Sequence, residues 1–226
     1  MAVSPIAASR TRTRARRGEG AKLRKEILDA ATRLLVETGD EGSVSVRAVA
    51  ERVGVTPPSI YLHFGDKNEL IFECCRALMG QLQHDVQQAV ADIADPRQRL
   101  RIAAHTYVRF GMANPEPYRI TFMSPHHVLP ADFDITEYEG VAAFAVLTEM
   151  VADAIGPERA TTADTGLVAM GLWAGFHGIT SLMIAKAVEP IDFPWPEVER
   201  LVDHLMDVHL TALTGGPGMD AGEQAT

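Results

Sequence analysis

Between Ser45 and Phe64 the chain carries two short helical patterns joined at a glycine, and this arrangement constrains the fold more than any other feature of the sequence. Val46, Val49, Ala50 and Val53 recur at three- and four-residue spacing, which places them on one helix face. Ser45, just ahead of them, is a residue type that caps a helix N-terminus through its side-chain oxygen. Gly54 follows the last apolar position, where helices commonly end on a left-handed residue. Thr56 then stands as a second N-cap, and Pro57 takes the first helical position, where a missing N–H costs nothing. On this third helix Ile60 and Phe64 turn inward, and Pro58, Ser59, Leu62 and His63 turn outward. Two short helices about such a turn form a helix-turn-helix unit, whose second helix can enter the major groove of DNA. The same pattern also fits an ordinary helical hairpin in a core, so taken alone it leaves both readings open.

The flanking sequence continues in helices. Leu23, Ile27, Ala31, Leu34 and Leu35 predict a first helix over Ala21–Thr38, stopped by Gly39. Gly65 breaks the third helix, and Asp66 with Glu69 three residues on forms a capping box for a fourth. Further helices are predicted over Leu70–Ala94, Arg97–Ala113, Pro117–Met123, Thr136–Ile155, Thr161–Val188 and Trp195–Leu213, with a loop over Pro125–Ile135. No alternating strand pattern of useful length occurs, so the class is all-α. The expected organisation is an Arg-rich disordered arm (1–20), a helix-turn-helix domain (21–67), a larger helical body (68–214) and a disordered tail (215–226).

A net charge of -9 argues against a nucleic-acid partner until its distribution is seen. Residues 1–70 hold 12 Lys and Arg against 9 Asp and Glu, whereas residues 71–226 hold 9 against 21. A basic end on an acidic remainder points to a polyanion at that end. Arg10, Arg12, Arg14, Arg16 and Arg17 precede the first helix and suit a mobile arm tracking phosphates or a minor groove. The only cysteines, Cys74 and Cys75, are adjacent and suggest no disulfide framework, hence a reducing, cytoplasmic setting. The N-terminal arginines lack the apolar stretch of a secretory signal. Thr165–Ala185 is uncharged and long enough to cross a bilayer, but four glycines and His177 within it favour a buried helix at a subunit interface. No Walker-type loop, GxSxG elbow or HExxH motif is present, and the histidines do not fall at metal-ligand spacing. No enzyme activity, metal or cofactor is expected. A thiol redox switch at Cys74–Cys75 is the rival chemistry.

The stretch VSVRAVAERVGVTPPSIYLHFGDKNEL, residues 44–70, resembles the DNA-binding signature of TetR-type transcriptional repressors. It shares the turn at Gly54, the Tyr-x-His-Phe run at Tyr61–Phe64 and the lysine after Asp66. The resemblance implies an all-helical homodimer in which a three-helix DNA-binding head joins a ligand-binding body. It implies that Ser45 and Thr56 cap helices whose N-termini point at phosphates. It makes Tyr61 a phosphate ligand, His63 its neighbour near the DNA backbone, and Lys67 a second phosphate grip. Arg47 matches a position that reaches a guanine in some members, and Pro58 and Ser59 occupy the base-facing turn.

In the body, the Trp173-x-x-x-His177-Gly178 pattern and the run NPEPYRITFM at 114–123 resemble a Trp-His-Gly subclass of the same family. The family's last two long helices pair with a partner's as a four-helix bundle. The resemblance thus implies close approach of a second copy at Gly171, Ala174, Gly175 and Gly178. Aromatic, Met and His residues suggest an apolar effector pocket from Tyr107, Phe110, Tyr118, Phe122, Met170, Trp173, Phe176 and His177. The expected function is a repressor that holds a pseudo-palindromic double-stranded operator as a homodimer, without membrane contact, and is released by a small apolar effector. An activator and a ligand-free architectural protein are the alternatives.

Overall fold

A computed structural model describes residues 19–38, 41–123, 139–160, 165–188 and 193–215. Among the described residues ten α-helices follow in order: α1 (Glu19–Thr38), α2 (Val46–Val53), α3 (Pro57–Tyr61), α4 (Lys67–Val90), α5 (Pro96–Ala113), α6 (Pro115–Met123), α7 (Glu139–Ile155), α8 (Pro157–Ala160), α9 (Thr165–Val188) and α10 (Val198–Gly215). A single 3₁₀ turn, Glu41–Ser43, sits between α1 and α2. Among the described residues there is no strand, as the absence of alternating sequence required. Residues 1–18, Gly39, the Pro125–Ile135 stretch and residues 216–226 lie outside the described residues; Glu19 and Gly20, expected in a disordered arm, open α1, and Gly215, expected in a disordered tail, closes α10.

The chain divides into two compact units. The first takes residues up to Leu78 together with Asn114–Phe133; the second takes Met79–Ala113 and residues from Asp134 onward. The division therefore falls inside α4 and assigns α6 to the first unit, away from the expected boundary at residues 67 and 68.

In the first unit Ile27, Ala31 and Leu35 of α1 meet Val49 and Ala50 of α2, Ile60 of α3, Phe64, Leu70 and Cys74, with Ile120 of α6 completing the core. Arg24 of α1 lies 4.7 Å over the Phe64 ring and 3.2 Å from Glu73 of α4, so one side chain joins three segments. Arg52 and Glu37, 2.8 Å apart, link α2 to α1 at the surface, where such a pair contributes about 0.2–1 kcal/mol.

In the second unit α9 packs against α5, α7 and α10. Leu100, Ala104 and Val108 of α5, Val151 of α7, Ala169, Leu172 and Phe176 of α9, and Val202 and Met206 of α10 share one core.

Several helix ends differ from those expected. α4 stops at Val90, where Ala91 and Ile93 bond back three residues, to Gln88 and Val90, and tighten the chain into turns. α5 and α6 begin at Pro96 and Pro115 rather than one and two residues later, each proline taking the first helical position. α8 had no periodicity to announce it. The last helix begins at Val198, not at Trp195. Trp195 lies between Pro194 and Pro196, and a residue before proline is pushed toward extended backbone; its ring instead packs edge-on against Phe193 at 5.0 Å.

Candidate nucleic-acid interface

The sequence of the first unit sets the geometry of its exposed helix-turn-helix. Ser45 Oγ accepts the Ala48 N–H at 3.1 Å, so it caps α2 as expected. Gly54 has φ 77° and donates its N–H to Ala50 and Glu51 carbonyls, ending α2 in a conformation that L side chains rarely adopt. Thr56 occupies the N-cap backbone position of α3, but its hydroxyl makes no cap. The reason is chemical: Pro57 and Pro58 at the first two helical positions have no N–H. The Ser59 N–H is taken by the Thr56 carbonyl at 2.9 Å. The Thr56 hydroxyl pairs with Ser59 Oγ at 3.0 Å instead. The expectation that both helices offer N–H groups to phosphate is therefore corrected for α3, whose first turn has few to offer. At α4, Asp66 Oδ1 accepts the Glu69 N–H at 2.8 Å. The return arm of this box reaches one residue further than usual, since Glu69 Oε2 accepts from Gly65 at 2.6 Å.

Ile60 and Phe64 are buried and pin α3 from one side. Of the residues predicted to meet DNA, Arg47, Thr56, Pro58 and Tyr61 are exposed, and Ser59, His63 and Lys67 are half-buried. Tyr61 is 54% exposed beside the fully buried Ile60, so it is not a packing aromatic. His63 Cε1 lies 3.9 Å from where a Cβ on Gly20 would stand, which sets the first turn of α1 beside the C-terminal end of α3. All eight residues predicted to meet DNA thus belong to one unit.

The pocket candidates are shared between the two units. Tyr107 and Phe176 lie 6.3 Å apart, and Trp173 and His177 5.8 Å apart, within the second unit. Burial lowers the His177 pKa, which favours a neutral imidazole with one donor and one acceptor. Tyr118 and Phe122 pack with tilted rings, centroids 4.8 Å apart, in the first unit, and Met170 is exposed. A cleft of about 370 Å³ opens elsewhere, lined by Asp95, Arg97, Gln98, Arg101, Asp207, Leu210 and Thr211 and by none of the eight candidates. Of the small residues on α9, Gly175 faces α10 of its own chain: a Cβ there would stand 2.5 Å from Leu205 Cδ2. Gly171 similarly sits near His209, whereas nothing lies within 4 Å of the Cβ direction of Gly178. Ala174 is exposed on α9 together with Leu167, Met170 and Leu182.

The chain matches two descriptions of one family: "Bacterial regulatory proteins, tetR family" over residues 27–74 and "Tetracyclin repressor-like, C-terminal domain" over residues 100–209. The chain belongs to the TetR family. TetR-family regulators are also its similar proteins. It is 30% identical over 132 residues to the transcriptional activator FasR of Mycolicibacterium smegmatis, covering 58% of this chain and 56% of that one. It is 33% identical over 95 residues to the transcriptional regulator BetI of Rhizobium meliloti, covering 41% of this chain and 45% of that one. The chain spans about half the length of the curated relatives it matches. In fold it is similar to the regulator FadR of Bacillus subtilis solved with stearoyl-CoA (TM-score 0.62, 13% identity, 83% of this chain and 97% of that one). The fold is that of the family: an all-α chain with a helix-turn-helix head and a helical body.

Two features of this TetR-family chain were not foreseen. Arg101 of α5 pairs with Asp203 of α10 at 2.8 Å and with Asp207, and His105 meets Asp203 at 3.0 Å. A carboxylate only accepts, so His105 Nε2 carries the proton. Together the bonds from His105 and Arg101 hold the Asp203 carboxyl below the usual carboxylate range. The i, i+4 spacing of both pairs is visible in the sequence; that α5 faces α10 is not. The second feature bears on the cysteines. Cys74 is fully buried, and burial pushes its thiol up to about 12, while a bond from Thr32 only partly opposes this. Such a thiol stays protonated at neutral pH and is a poor nucleophile, which argues against Cys74 as the reactive thiol of a redox switch. Among the described residues no group of His, Cys, Asp and Glu could hold a metal.

Proposed function

We propose that the chain is a homodimeric, effector-responsive transcriptional repressor that binds a pseudo-palindromic operator through α2, α3 and the start of α4. The observation that carries this reading is the two-sided α3. Ile60 and, just past the end of the helix, Phe64 are buried in the core, while Pro58 and Tyr61 of α3 and Arg47 of α2 are exposed. Tyr61, Lys67 and the N-terminus of α2 at Ser45 supply phosphate contacts that fix register, while Arg47, Pro58 and Ser59 face base edges.

The second copy docks on α9. Leu167 is 69% exposed there, with Met170, Ala174 and Leu182 in line and Val208 exposed on α10. This helix is apolar enough to cross a membrane by composition, and only 33% of that stretch is buried; a partner's matching helices would cover the rest. The effector is a small apolar molecule that enters the second unit near Tyr107, Trp173, Phe176 and the neutral His177, with Phe110 on the same α5. Trp173, His177 and Gly178 also support a place in the Trp-His-Gly subclass. The soluble, cytoplasmic setting follows from DNA as partner.

Selection of bound DNA from a random pool tests the proposal. The expected product is an inverted repeat whose half-sites lie one helical turn apart, about 34–36 Å. A single asymmetric site, or no enrichment, overturns it. An activator reading has one observation in its favour, the similarity to FasR. Transcription from the selected operator, which should fall when the protein is present and recover with effector, separates the two.

A further inference from the structure

Leu62 is 83% exposed, more than any other large hydrophobic side chain among the described residues. It closes α3 with helical backbone angles, φ -75° and ψ -13°, and its N–H bonds the Ile60 carbonyl. At about 100° of rotation per residue, Pro58 and Leu62 each lie two residues from Ile60. They are four residues apart, on one ridge that points almost directly away from the core. The outermost line of the recognition helix is therefore apolar, with Tyr61 and Ser59 beside it. No folding requirement explains a leucine there, since an exposed leucine gains none of the burial that stabilises a core.

We propose that Leu62 reads the 5-methyl group of thymine in the major groove, with Pro58 shaping the approach, and that it makes the protein selective for thymine at one position of each operator half-site. The chemistry leaves little choice of occupant. Phosphates and sugars offer charge and hydroxyl-bearing or ether oxygens. Among the groups that the four base pairs present in the major groove, the thymine methyl is the apolar one. A polar base edge placed against Leu62 loses its water without gaining a hydrogen bond, which selects against adenine, guanine and cytosine at that position. The inference rests on α3 being the recognition helix, and it adds a base preference that Arg47 and Ser59 do not supply.

The test uses the full chain and the inverted repeat recovered from a random pool. Each thymine is replaced in turn by deoxyuridine, which removes one methyl group and leaves base pairing intact. For the wild-type protein, one replacement per half-site should weaken binding roughly fourfold, the equivalent of one buried methylene. Leu62→Ala should bind the thymine and uracil versions of that position equally, while retaining the wild-type penalty at every other thymine. Leu62→Met, which keeps apolar reach, should restore discrimination. Because Leu62 is exposed, both variants should keep the wild-type melting temperature. The proposal is overturned if no replacement weakens wild-type binding, or if Leu62→Ala loses affinity equally for thymine and uracil DNA. Failure to recover any specific DNA would overturn the operator reading as well, so the two failures are distinguishable.

Discussion

At the scale of single residues, positioning and reading are separable. Lys67 opens α4 just after the turn that holds Phe64, and the proposed role for it, a point charge on phosphate, carries no sequence reading. Lys67→Ala should weaken binding to every DNA sequence alike and make the salt slope shallower by about one unit, as seen in binding isotherms across salt concentration. Arg47 is exposed on α2 and has a guanidinium suited to a guanine edge. Arg47→Ala should relax preference at one base pair per half-site, at a cost of about 1–3 kcal/mol. An unchanged base preference would leave Arg47 as a surface charge. The cysteines give an independent check on the first unit's core. Cys74, buried and protonated, should resist alkylation in the native protein and react only at the rate of unfolding. Rapid modification under native conditions would mean that this core opens far more readily than its packing implies.

At the scale of elements, the contact of α9 with α10 turns on a glycine that sequence placed in a different interface. A Cβ at Gly175 would meet both Leu205 methyls, at 2.5 and 2.9 Å, and Cγ at 3.3 Å. Forcing Leu205 aside costs roughly 1–3 kcal/mol, more than offsetting much of the ~1 kcal/mol that alanine gains over glycine in a helix. Gly178 has open space at the same place. Gly178→Ala should therefore exceed Gly175→Ala in stability by about 1–3 kcal/mol in denaturant titrations, and equal values would show that Leu205 yields freely. The ion pairs of α5 and α10 carry a pH signature. The Asp203 carboxyl has a folded pKa below its unfolded one. Its contribution is thus complete above the unfolded value near 4 and is lost as acid passes through the lowered folded value. Asp203→Asn should lower stability at neutral pH and flatten the acid limb below about pH 4, while leaving stability above it parallel to wild type.

At the scale of the whole molecule, α4 is one continuous helix that begins at Lys67 and ends at Val90, and it carries residues of both units. A ligand shifts a two-state equilibrium only by its differential affinity for the states, and a helix shared in this way is a natural carrier of that difference. Trp173 and Trp195 are the only tryptophans. In a Trp195→Phe background, apolar molecules that dissociate the operator complex should change Trp173 fluorescence over the same concentration range. Trp173→Ala should alter that response with little effect on operator affinity, provided that it remains folded and dimeric. If active effectors leave Trp173 fluorescence unchanged and the alanine variant responds normally, the pocket lies elsewhere. The cleft at Arg101 and Asp207 would then be the next place to look.

Local sequence determined the helical class, the turn at Gly54, the cap at Ser45, and the inward Ile60 and Phe64 opposite an outward Pro58 and Leu62. These depend on periodicity, on dihedral preference and on missing or available N–H groups within a few residues, and such short-range physics is written along the chain. Even there two prolines hid a tertiary-free detail, that the Thr56 hydroxyl makes no cap because the first two helical positions lack an N–H and the Thr56 carbonyl takes the third. Only the tertiary structure decided which helices meet. It gave Gly175 to α10 of the same chain, set Arg101 and His105 against Asp203, drew α6 into the core of the first unit, and assigned Tyr118 and Phe122 to the first unit and Trp173 and His177 to the second. Each of these pairs residues far apart in sequence. The side-chain periodicity of a helix states which face is apolar but not what will cover it.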